Sequence, residues 1–229
     1  INIDESKEKV VLVGNPNVGK SIFFNYLTDS YVSVSNYPGT TLDISSGEFK
    51  DYIVLDTPGV YGVSSFNDEE KVARDIILSA DIIVNIVDAV HLERDLFLTQ
   101  QLIDMDKKVI VALNMMDEAR SRGLEIDLEK LKEDLGVEVI PTVAVDNQGL
   151  AMISDTIQNA KKGNKSLSSE MKERLEDISK KTENNADSLL ILEGDQYVAN
   201  HFNLEALDFR EEVYNKRRNR VNNIVENIL

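Results

Sequence analysis

The chain has 229 residues, a net charge of −16 and no cysteine. This length suits one large domain or one domain with a smaller companion, and the missing cysteines exclude a disulfide framework or a thiolate metal site. No apolar run approaches the roughly 18 residues of a transmembrane helix, so we expect a soluble chain with neither a membrane span nor a signal peptide in this stretch. Most of the negative charge lies in the first 160 residues, which argues against nucleic-acid binding there. The chain opens on Ile1 rather than Met, so we expect a fragment of a longer protein.

Five short apolar runs alternate with helix-like segments near residues 20–28, 69–78, 95–104, 127–135 and 149–160. The runs are rich in Val and Ile and nearly continuous, as in strands that are buried on both faces of a parallel sheet. They are Lys9–Val13, Tyr52–Leu55, Ile82–Val87, Val109–Leu113 and Val137–Ile140. Ser45–Lys50 is predicted as an extra edge strand that pairs with the next one. The pattern predicts an α/β fold whose mostly parallel sheet has helices on both faces and binds ligands beyond its carboxyl ends.

The residues that follow the alternating strands and helices predict a small all-helical unit. We therefore divide the chain into residues 1–162 and 163–229. Met171, Leu175 and Ile178 repeat at helical spacing after Ser168 and Ser169, which are candidate caps. The last helix is expected to place these residues on one broad face: Leu207, Val213, Val221, Ile224 and Ile228. A basic cluster in that helix is either an anchor to an acidic membrane surface or a solvated helix face. Its members are Lys216, Arg217, Arg218 and Arg220.

The stretch Gly14–Ser21 reads Gly-x-x-x-x-Gly-Lys-Ser between a strand and a helix. Such a loop wraps a polyphosphate with backbone N–H groups at the positive end of the following helix. Gly19 permits close approach of the loop backbone to the phosphates. Lys20 reaches the β- and γ-phosphates, and the Ser21 hydroxyl is a ligand for Mg²⁺. The residues that we expect to contact the nucleotide here are Asn15, Pro16, Asn17, Val18, Gly19, Lys20, Ser21 and Ile22.

Two further loops carry candidate residues for the γ-phosphate. Residues 30–44 are predicted as a turn-forming loop containing Asn36–Thr41, in which we expect Thr41 rather than Thr40 to close over Mg²⁺ and the γ-phosphate, with both near the nucleotide. Asp56 ends a strand and can hold Mg²⁺ through water, and Gly59 can offer its N–H to the γ-phosphate. Val60 stands where Ras-like enzymes carry the glutamine that orients the attacking water, so another group must do so here.

Two loops farther along the chain are candidates for contact with the base. Asp117, in Asn114-Met115-Met116-Asp117, can accept from both N1–H and the exocyclic amine of guanine, and adenine offers neither group in that geometry. We expect Asn114 to tie this loop to the phosphate loop. In the Pro141–Val145 stretch, a valine replaces the usual hydroxyl residue, and the Ala144 N–H is expected to meet the guanine carbonyl. The further expected base contacts are Met115, Val143, Ala144 and Val145. This order of motifs predicts a GTP-binding protein.

As a whole, the chain resembles the cytosolic N-terminal part of FeoB, the bacterial ferrous-iron transporter family. The nucleotide motifs alone indicate a GTPase. The runs that point to this family are Leu92–Leu96 and Asn114–Ala119, supported by Glu70–Asp75. The resemblance covers roughly residues 8–229 and is tighter in the first 160.

The resemblance implies a slow, Mg²⁺-dependent GTPase that K⁺ stimulates and that cycles between GTP and GDP. K⁺ would take the place of an arginine finger, held by Asn17 and the backbone carbonyls of Ser35 and Tyr37. With the phosphate-site assignments, the expected catalytic residues are Asn17, Lys20, Thr41 and Gly59, and the Mg²⁺ ligands are Ser21, Thr41 and Asp56. The helical unit would lie between the GTPase and a membrane pore of the same polypeptide and would slow nucleotide release. Small Feo accessory proteins, a homo-oligomer and a location at the cytoplasmic face of the inner membrane are also implied.

Two other interpretations remain open from the residues. The chain could act as a binding switch in which GTP or GDP occupancy is the output and hydrolysis only resets it. It could also be an RNA-associated GTPase of ribosome assembly or tRNA modification, although the nearly neutral helical tail argues against an RNA-binding appendage. We expect His91 and His201 to be structural, because no ligand cluster accompanies either one.

Overall fold

A computed structural model of the chain describes residues 7–28, 32–38 and 40–229. The predicted turn residue Gly39 lies outside these ranges. The eight strands in them are β1 (Glu8–Gly14), β2 (Val32–Asn36), β3 (Asp43–Phe49), β4 (Tyr52–Asp56), β5 (Ile82–Asp88), β6 (Lys108–Asn114), β7 (Glu138–Pro141) and β8 (Lys161–Lys162). All form one sheet in the order β2-β3-β4-β1-β5-β6-β7, with β8 paired to β6. The four pairings among β4, β1, β5, β6 and β7 are parallel.

The helices surround this sheet. They are α1 (Lys20–Leu27), α2 (Asp68–Leu78), α3 (Leu92–Asp104), α4 (Met116–Ser121), α5 (Leu128–Leu135), α6 (Leu150–Thr156), α7 (Ser169–Thr182), α8 (Asn185–Leu192), α9 (Gln196–His201) and α10 (Arg210–Ile228). Alternate residues of β1 face two different cores, because successive side chains of a strand point to opposite faces. Val11 and Val13 join the core under α2 and α3, and Val10 and Leu12 join the core under α1 and α6. The predicted α/β fold with a mostly parallel sheet is confirmed.

Three features of the sheet and its connections differ from the prediction. Residues 32–36, expected within a loop, form β2, which pairs antiparallel with β3 and takes the edge position expected for the Ser45–Lys50 strand. The short strand β8 and the helix α4 were not predicted. The predicted pairing of β3 with the strand that follows it is confirmed.

The C-terminal residues form four helices, of which α10 packs against α3 and α5. Ser168 caps α7 as predicted, since its side chain accepts a hydrogen bond from the Met171 N–H. The expectation that Leu207 belongs to the last helix is wrong, because α10 begins at Arg210 and the Leu207 N–H bonds the carbonyl of Ile191. Among the described residues, no helix has both the length and the apolar character needed to cross a bilayer.

The basic cluster of α10 is only partly a surface feature, because Arg217 is buried and Arg218 and Arg220 are half-buried, so neither surface interpretation describes Arg217. The buried Arg217 donates from Nε to Asp104 at 3.0 Å and also pairs with Glu193. Arg218 donates to the carbonyl of Glu93, and Arg220 bonds the side chain of Gln100. Lys216 alone of the four is exposed. These arginines hold α10 to α3 and to the segment after α8.

Candidate functional site

The phosphate loop joins β1 to α1 at the carboxyl end of the sheet. Its backbone turns at Asn17 and Gly19, which have φ values of 66° and 89°. At Gly19 a side chain is excluded by space as well as by φ, since a Cβ there would lie 2.7 Å from Asn114 Nδ2. The loop residue Val18 is buried, whereas Asn17 is exposed. The glycine that the spacing requires is therefore explained by both the loop conformation and a close neighbour.

Lys20 and Asp56, predicted for the phosphates and for Mg²⁺, meet in the structure. The ammonium group of Lys20 bonds both a carboxylate oxygen of Asp56 and the backbone carbonyl of Thr57. The Ser21 residue is exposed next to Lys20 at the start of α1. A cationic donor and a carboxylate thus meet where β4 ends and α1 begins, and Ser21 is the next residue of α1.

The turn after β4 lies against the phosphate loop. A Cβ on Gly59 would lie 2.9 Å from Pro16 Cα, so only glycine allows this approach. The Val60 N–H donates to the carbonyl of Gly14 at 3.1 Å, and the Val60 side chain is buried. The residue at the glutamine position is therefore part of the core.

The loop around Thr41 is folded on itself and toward α2. The carbonyl of Tyr37, expected as a K⁺ ligand, accepts from the Thr40 N–H at 3.1 Å and from the Thr40 hydroxyl at 3.2 Å. The Tyr37 hydroxyl donates to Asp75 Oδ2 on α2 at 2.8 Å, and burial followed by this bond raises the pKa of Tyr37 to about 12. Ser35, the other expected carbonyl ligand, lies in β2 opposite Ile44.

Thr40 and Thr41 line a shallow cleft of about 290 Å³ together with Asn67, Asp68 and Glu69 at the start of α2. Within the described ranges, no hydrogen bond or ion pair joins either threonine to Lys20, Ser21 or Asp56. The structure therefore brings Lys20, Ser21, Asp56 and Gly59 to the phosphate loop and leaves the two threonines on the α2 side.

Asn114 connects the phosphate loop to both base loops. Its Nδ2 donates to the carbonyl of Val18 at 3.0 Å, which confirms the predicted tie between the loops. Its Oδ1 accepts from the Thr142 hydroxyl at 3.1 Å and from the Ala144 N–H at 3.0 Å. The N–H that we expected to meet guanine is therefore bonded to Asn114 in this structure.

The other base-site residues surround this connection. Met115 adopts φ 61° just before α4, which places Asp117, exposed, in the first turn of that helix. Val143 is buried and its backbone pairs with Gln148, whereas Val145 is exposed. Thr142 was not singled out from the sequence, although its hydroxyl completes the bonds of Asn114.

A buried acidic group lies behind the phosphate loop, and the sequence assigned it no role. Asp95 accepts a hydrogen bond from the Asn15 side chain at 2.7 Å. Asp88, at the end of β5, has its carboxylate 2.7 Å from His91 Nδ1. The only sequence signal for this group was the Leu92–Leu96 run.

The fold agrees with comparisons to known proteins. The family model described as "Ferrous iron transport protein B" matches residues 8–157. The chain belongs to the FeoB family. The "Fe(2+) transporter FeoB" of Legionella pneumophila (strain Paris) is 44% identical over 159 residues, which cover 64% of this chain and 21% of that protein. A fusion of Fe(2+) transport protein A with FeoB, from Porphyromonas gingivalis, is 38% identical over 162 residues, 68% of this chain and 19% of that protein.

Solved structures of FeoB extend the similarity over the helical part. The cytosolic domain of L. pneumophila FeoB has a TM-score of 0.85 at 34% identity and covers 96% of this chain and 98% of that one. A point mutant of S. thermophilus NFeoB bound to mGDP has a TM-score of 0.84 at 30% identity, with 98% and 100% covered. The chain thus spans about a fifth of the curated FeoB proteins but nearly all of these cytosolic structures.

Proposed function

We propose that this chain binds GTP and GDP and hydrolyses GTP slowly, in a reaction that depends on Mg²⁺ and is stimulated by K⁺. The observation that carries the proposal is the joining of the phosphate loop to both base loops, since Asn114 bonds the phosphate loop and the Ala144 loop together. Lys20 and the loop N–H groups would bind the phosphates. Asp117 would select guanine over adenine. The relatives with GDP in their crystals support guanine nucleotide as the ligand.

The chain offers a suitable oxygen set for Mg²⁺. The Ser21 hydroxyl and the Asp56 carboxylate are hard oxygen donors at the phosphate loop, and Lys20 pairs with Asp56 at the same place. Thr41 is our third candidate, and it would have to move from the α2 side to reach them. The bound ion would neutralise charge on the phosphates, while Lys20 and Gly59 hold the terminal phosphate in position.

The proposed K⁺ ligands are less well placed for binding an ion than the proposed Mg²⁺ ligands. Asn17 is exposed on the phosphate loop, where its side chain can face a cation. The Tyr37 carbonyl is already bonded to Thr40, so it can serve only after this turn opens. Because Val60 is buried and apolar, it cannot orient the attacking water, and another group must do so. The cation would supply the charge neutralisation that an arginine finger gives in other GTPases.

We further propose that residues 1–162 are the GTPase domain and residues 163–229 a helical domain that regulates it. By family, this chain would lie at the cytoplasmic face of the inner membrane, and the whole polypeptide would continue into a transmembrane ferrous-iron pore. Small Feo accessory proteins and further copies of the chain are proposed partners, and the P. gingivalis fusion protein supports the first of these. GTP turnover would then regulate iron uptake.

The test is the GTP hydrolysis rate of this chain in potassium chloride and in sodium chloride. We expect K⁺ to accelerate the wild type more than about tenfold from an unassisted rate on the order of 10⁻⁴ to 10⁻² s⁻¹. The Asn17→Ala variant should lose this gain. The matched control, Asn25→Ala, changes an exposed asparagine of α1 and should keep it.

Equal rates in the two salts would remove the K⁺ part of the proposal and leave water positioning to a partner protein. In the full transporter, a variant that binds GTP without hydrolysing it separates turnover from occupancy as the output. Iron uptake that persists in such a variant would favour the binding-switch alternative.

A further inference from the structure

A buried carboxylate holds the phosphate loop from behind. Asp95 lies in the first turn of α3 and is 1% exposed, and Asn15, the second residue of the phosphate loop, is 2% exposed. Asn15 Nδ2 donates to Asp95 Oδ1 at 2.7 Å. The other end of the Asn15 amide, Oδ1, has no hydrogen-bond partner among the described residues. Within that part of the chain, the bond to Asp95 is therefore the polar contact that orients this side chain.

The same carboxylate receives two other donors. Arg94 Nε donates to Oδ1 at 2.7 Å, and the Asp88 N–H donates to Oδ2 at 3.0 Å. The three donors come from the loop after β1, from α3 and from the end of β5, and β1 and β5 are neighbours in the sheet. A carboxylate has enough lone pairs for all three, whereas an asparagine side chain has one acceptor oxygen. An acid therefore satisfies all three donors, whereas an amide in the same orientation would accept only from Asn15 and Arg94 and would lose the bond to the Asp88 N–H.

Burial makes the negative charge of the Asp95 carboxylate energetically unfavourable. Burial raises the pKa of Asp95, against the opposing effect of its hydrogen bonds to Arg94 and Asp88. Arg94 supplies the compensating charge from a partly exposed position and lies over the ring of Tyr61, two residues after Gly59. A buried ion that is kept at such a cost, next to a ligand loop, indicates a role in that loop.

The loop segment that Asp95 holds is the one on which the rest of the site depends. Asn15 stands between Gly14, whose carbonyl accepts from Val60, and Pro16, against which Gly59 packs. Asn17 turns the backbone two residues later. Rotation of the Asn15 peptide would therefore redirect the N–H groups that face the phosphates and would also move Gly59.

We propose that Asp95 is a positioning residue, which acts through the side chain of Asn15 to hold the phosphate loop in its nucleotide-binding conformation. The inference rests on the proposed function, because it concerns how that same loop binds phosphate. Loss of the bond should loosen the loop and speed the release of GDP.

The test measures the release rate of a fluorescent GDP analogue by stopped flow. Asp95→Ala removes every side-chain acceptor at this position and should accelerate release about tenfold, the factor that corresponds to about 1.4 kcal/mol. The control Thr99→Val lies one turn later on α3 and is equally buried, and it removes bonds to Asn85 and to the Asp95 backbone carbonyl, neither of which is a bond to the phosphate loop. It should change release less than about twofold. Asn15→Ala should reproduce the acceleration, and adding Asp95→Ala to it should change release by less than about twofold.

Three results would overturn the inference while GDP binding by the wild type leaves the proposed function standing. They are unchanged release in Asp95→Ala, an equal acceleration in Thr99→Val, and a full Asp95→Ala effect in the Asn15→Ala background. If Asp95→Ala does not fold, unaltered release in Asn15→Ala has the same meaning. A wild-type chain that binds no GDP overturns the proposed function and this inference with it.

Discussion

At the scale of single residues, the site depends on side chains that satisfy several backbone groups at once. Asn114 is buried and bonds the carbonyl of Val18, the hydroxyl of Thr142 and the N–H of Ala144. Asp117, three residues later, is exposed on α4. One residue of the same motif therefore holds the loops together, and the other is free to meet a ligand.

We predict that Asn114→Ala and Asp117→Ala separate these two roles. Asn114→Ala leaves buried backbone groups unpaired, which should lower the free energy of unfolding by about 2–3 kcal/mol without any nucleotide present. Asp117→Ala should leave stability within about 0.5 kcal/mol of the wild type. It should instead abolish the preference for GDP over ADP. Chemical denaturation and competition binding measure the two effects, and equal stability losses would contradict the division.

A second prediction concerns the pH dependence that Asp95 contributes. Its folded-state pKa is raised above 3.8 by burial, so the folded chain holds this proton more tightly than the unfolded chain. The contribution of Asp95 to stability is therefore present at low pH and falls as the pH rises from about 4 through the raised pKa. The charged groups that face it are Arg94 and Asp88, and His91 pairs with Asp88.

Unfolding free energies of the wild type and of Asp95→Asn, measured from about pH 4 to about pH 8, test this. The stability of the wild type relative to the variant should decrease with rising pH and then level off. The difference in unfolding free energy between the wild type and Thr99→Val should not change with pH, because that control removes no ionisable group. A constant difference between wild type and Asp95→Asn would refute the assignment.

Residue type and spacing were enough to place the phosphate loop, Asp56 and Asn114. They were not enough for Asp95, because its role depends on β5 lying beside β1, a long-range pairing that no local pattern encodes. The sequence also led us to expect a bond from the Ala144 N–H to guanine, although in the structure this N–H donates to Asn114. The fold turns Asn114 Oδ1 toward that N–H, and the sequence does not show where a side chain points.

At the scale of elements, β2 is the clearest departure from the sequence prediction. Val32 and Val34 alternate with serines, but both valines are exposed, so the strand buries little apolar surface of its own. It exists because its backbone pairs with β3. Propensity and periodicity report burial better than they report backbone pairing, and the turn residues nearby favoured a loop.

The turn after β2 is fastened to α2 by Tyr37, and this contact gives a third prediction. The pKa of Tyr37 is raised to about 12 by burial and by its bond to Asp75. The stability that the neutral phenol contributes is complete below about pH 10 and is lost as the pH rises from about 10 to about 12. An absorbance titration of tyrosinate should therefore contain one late component near pH 12.

Tyr37→Phe should remove that late component. The control Tyr26→Phe, at an exposed tyrosine of α1, should leave it in place. Tyr37→Phe should also lower stability near neutral pH by about 1 kcal/mol through the lost hydrogen bond. A late component that survives in Tyr37→Phe would show that another tyrosine carries it and would refute its assignment to Tyr37.

At the scale of the whole molecule, the C-terminal helix is joined to the sheet layer by buried charge. Arg217 on α10 lies between Asp104 of α3 and Glu193 beyond α8, and Asp104 is fully buried. Asp104 also accepts from the backbone and hydroxyl of Ser166, at the start of the C-terminal part. The cluster of four basic residues looked like a surface feature in the sequence, since only the partners across the fold reveal that Arg217 is buried and that Arg218 and Arg220 bond other helices or their connections.

The last prediction is that Arg217 stabilises the packing of the helical part against α3. Arg217→Ala removes the cation and leaves Asp104 and Glu193 without their main partner, and an unpaired buried carboxylate costs about 3–5 kcal/mol. Lys216→Ala, at the exposed neighbour, should cost less than about 0.5 kcal/mol. Chemical denaturation followed by circular dichroism measures both. Because α10 packs on α3 and α5, we expect Arg217→Ala to unfold in one transition at lower denaturant. A separate early transition of the helices would show instead that residues 163–229 can detach while the sheet stays folded.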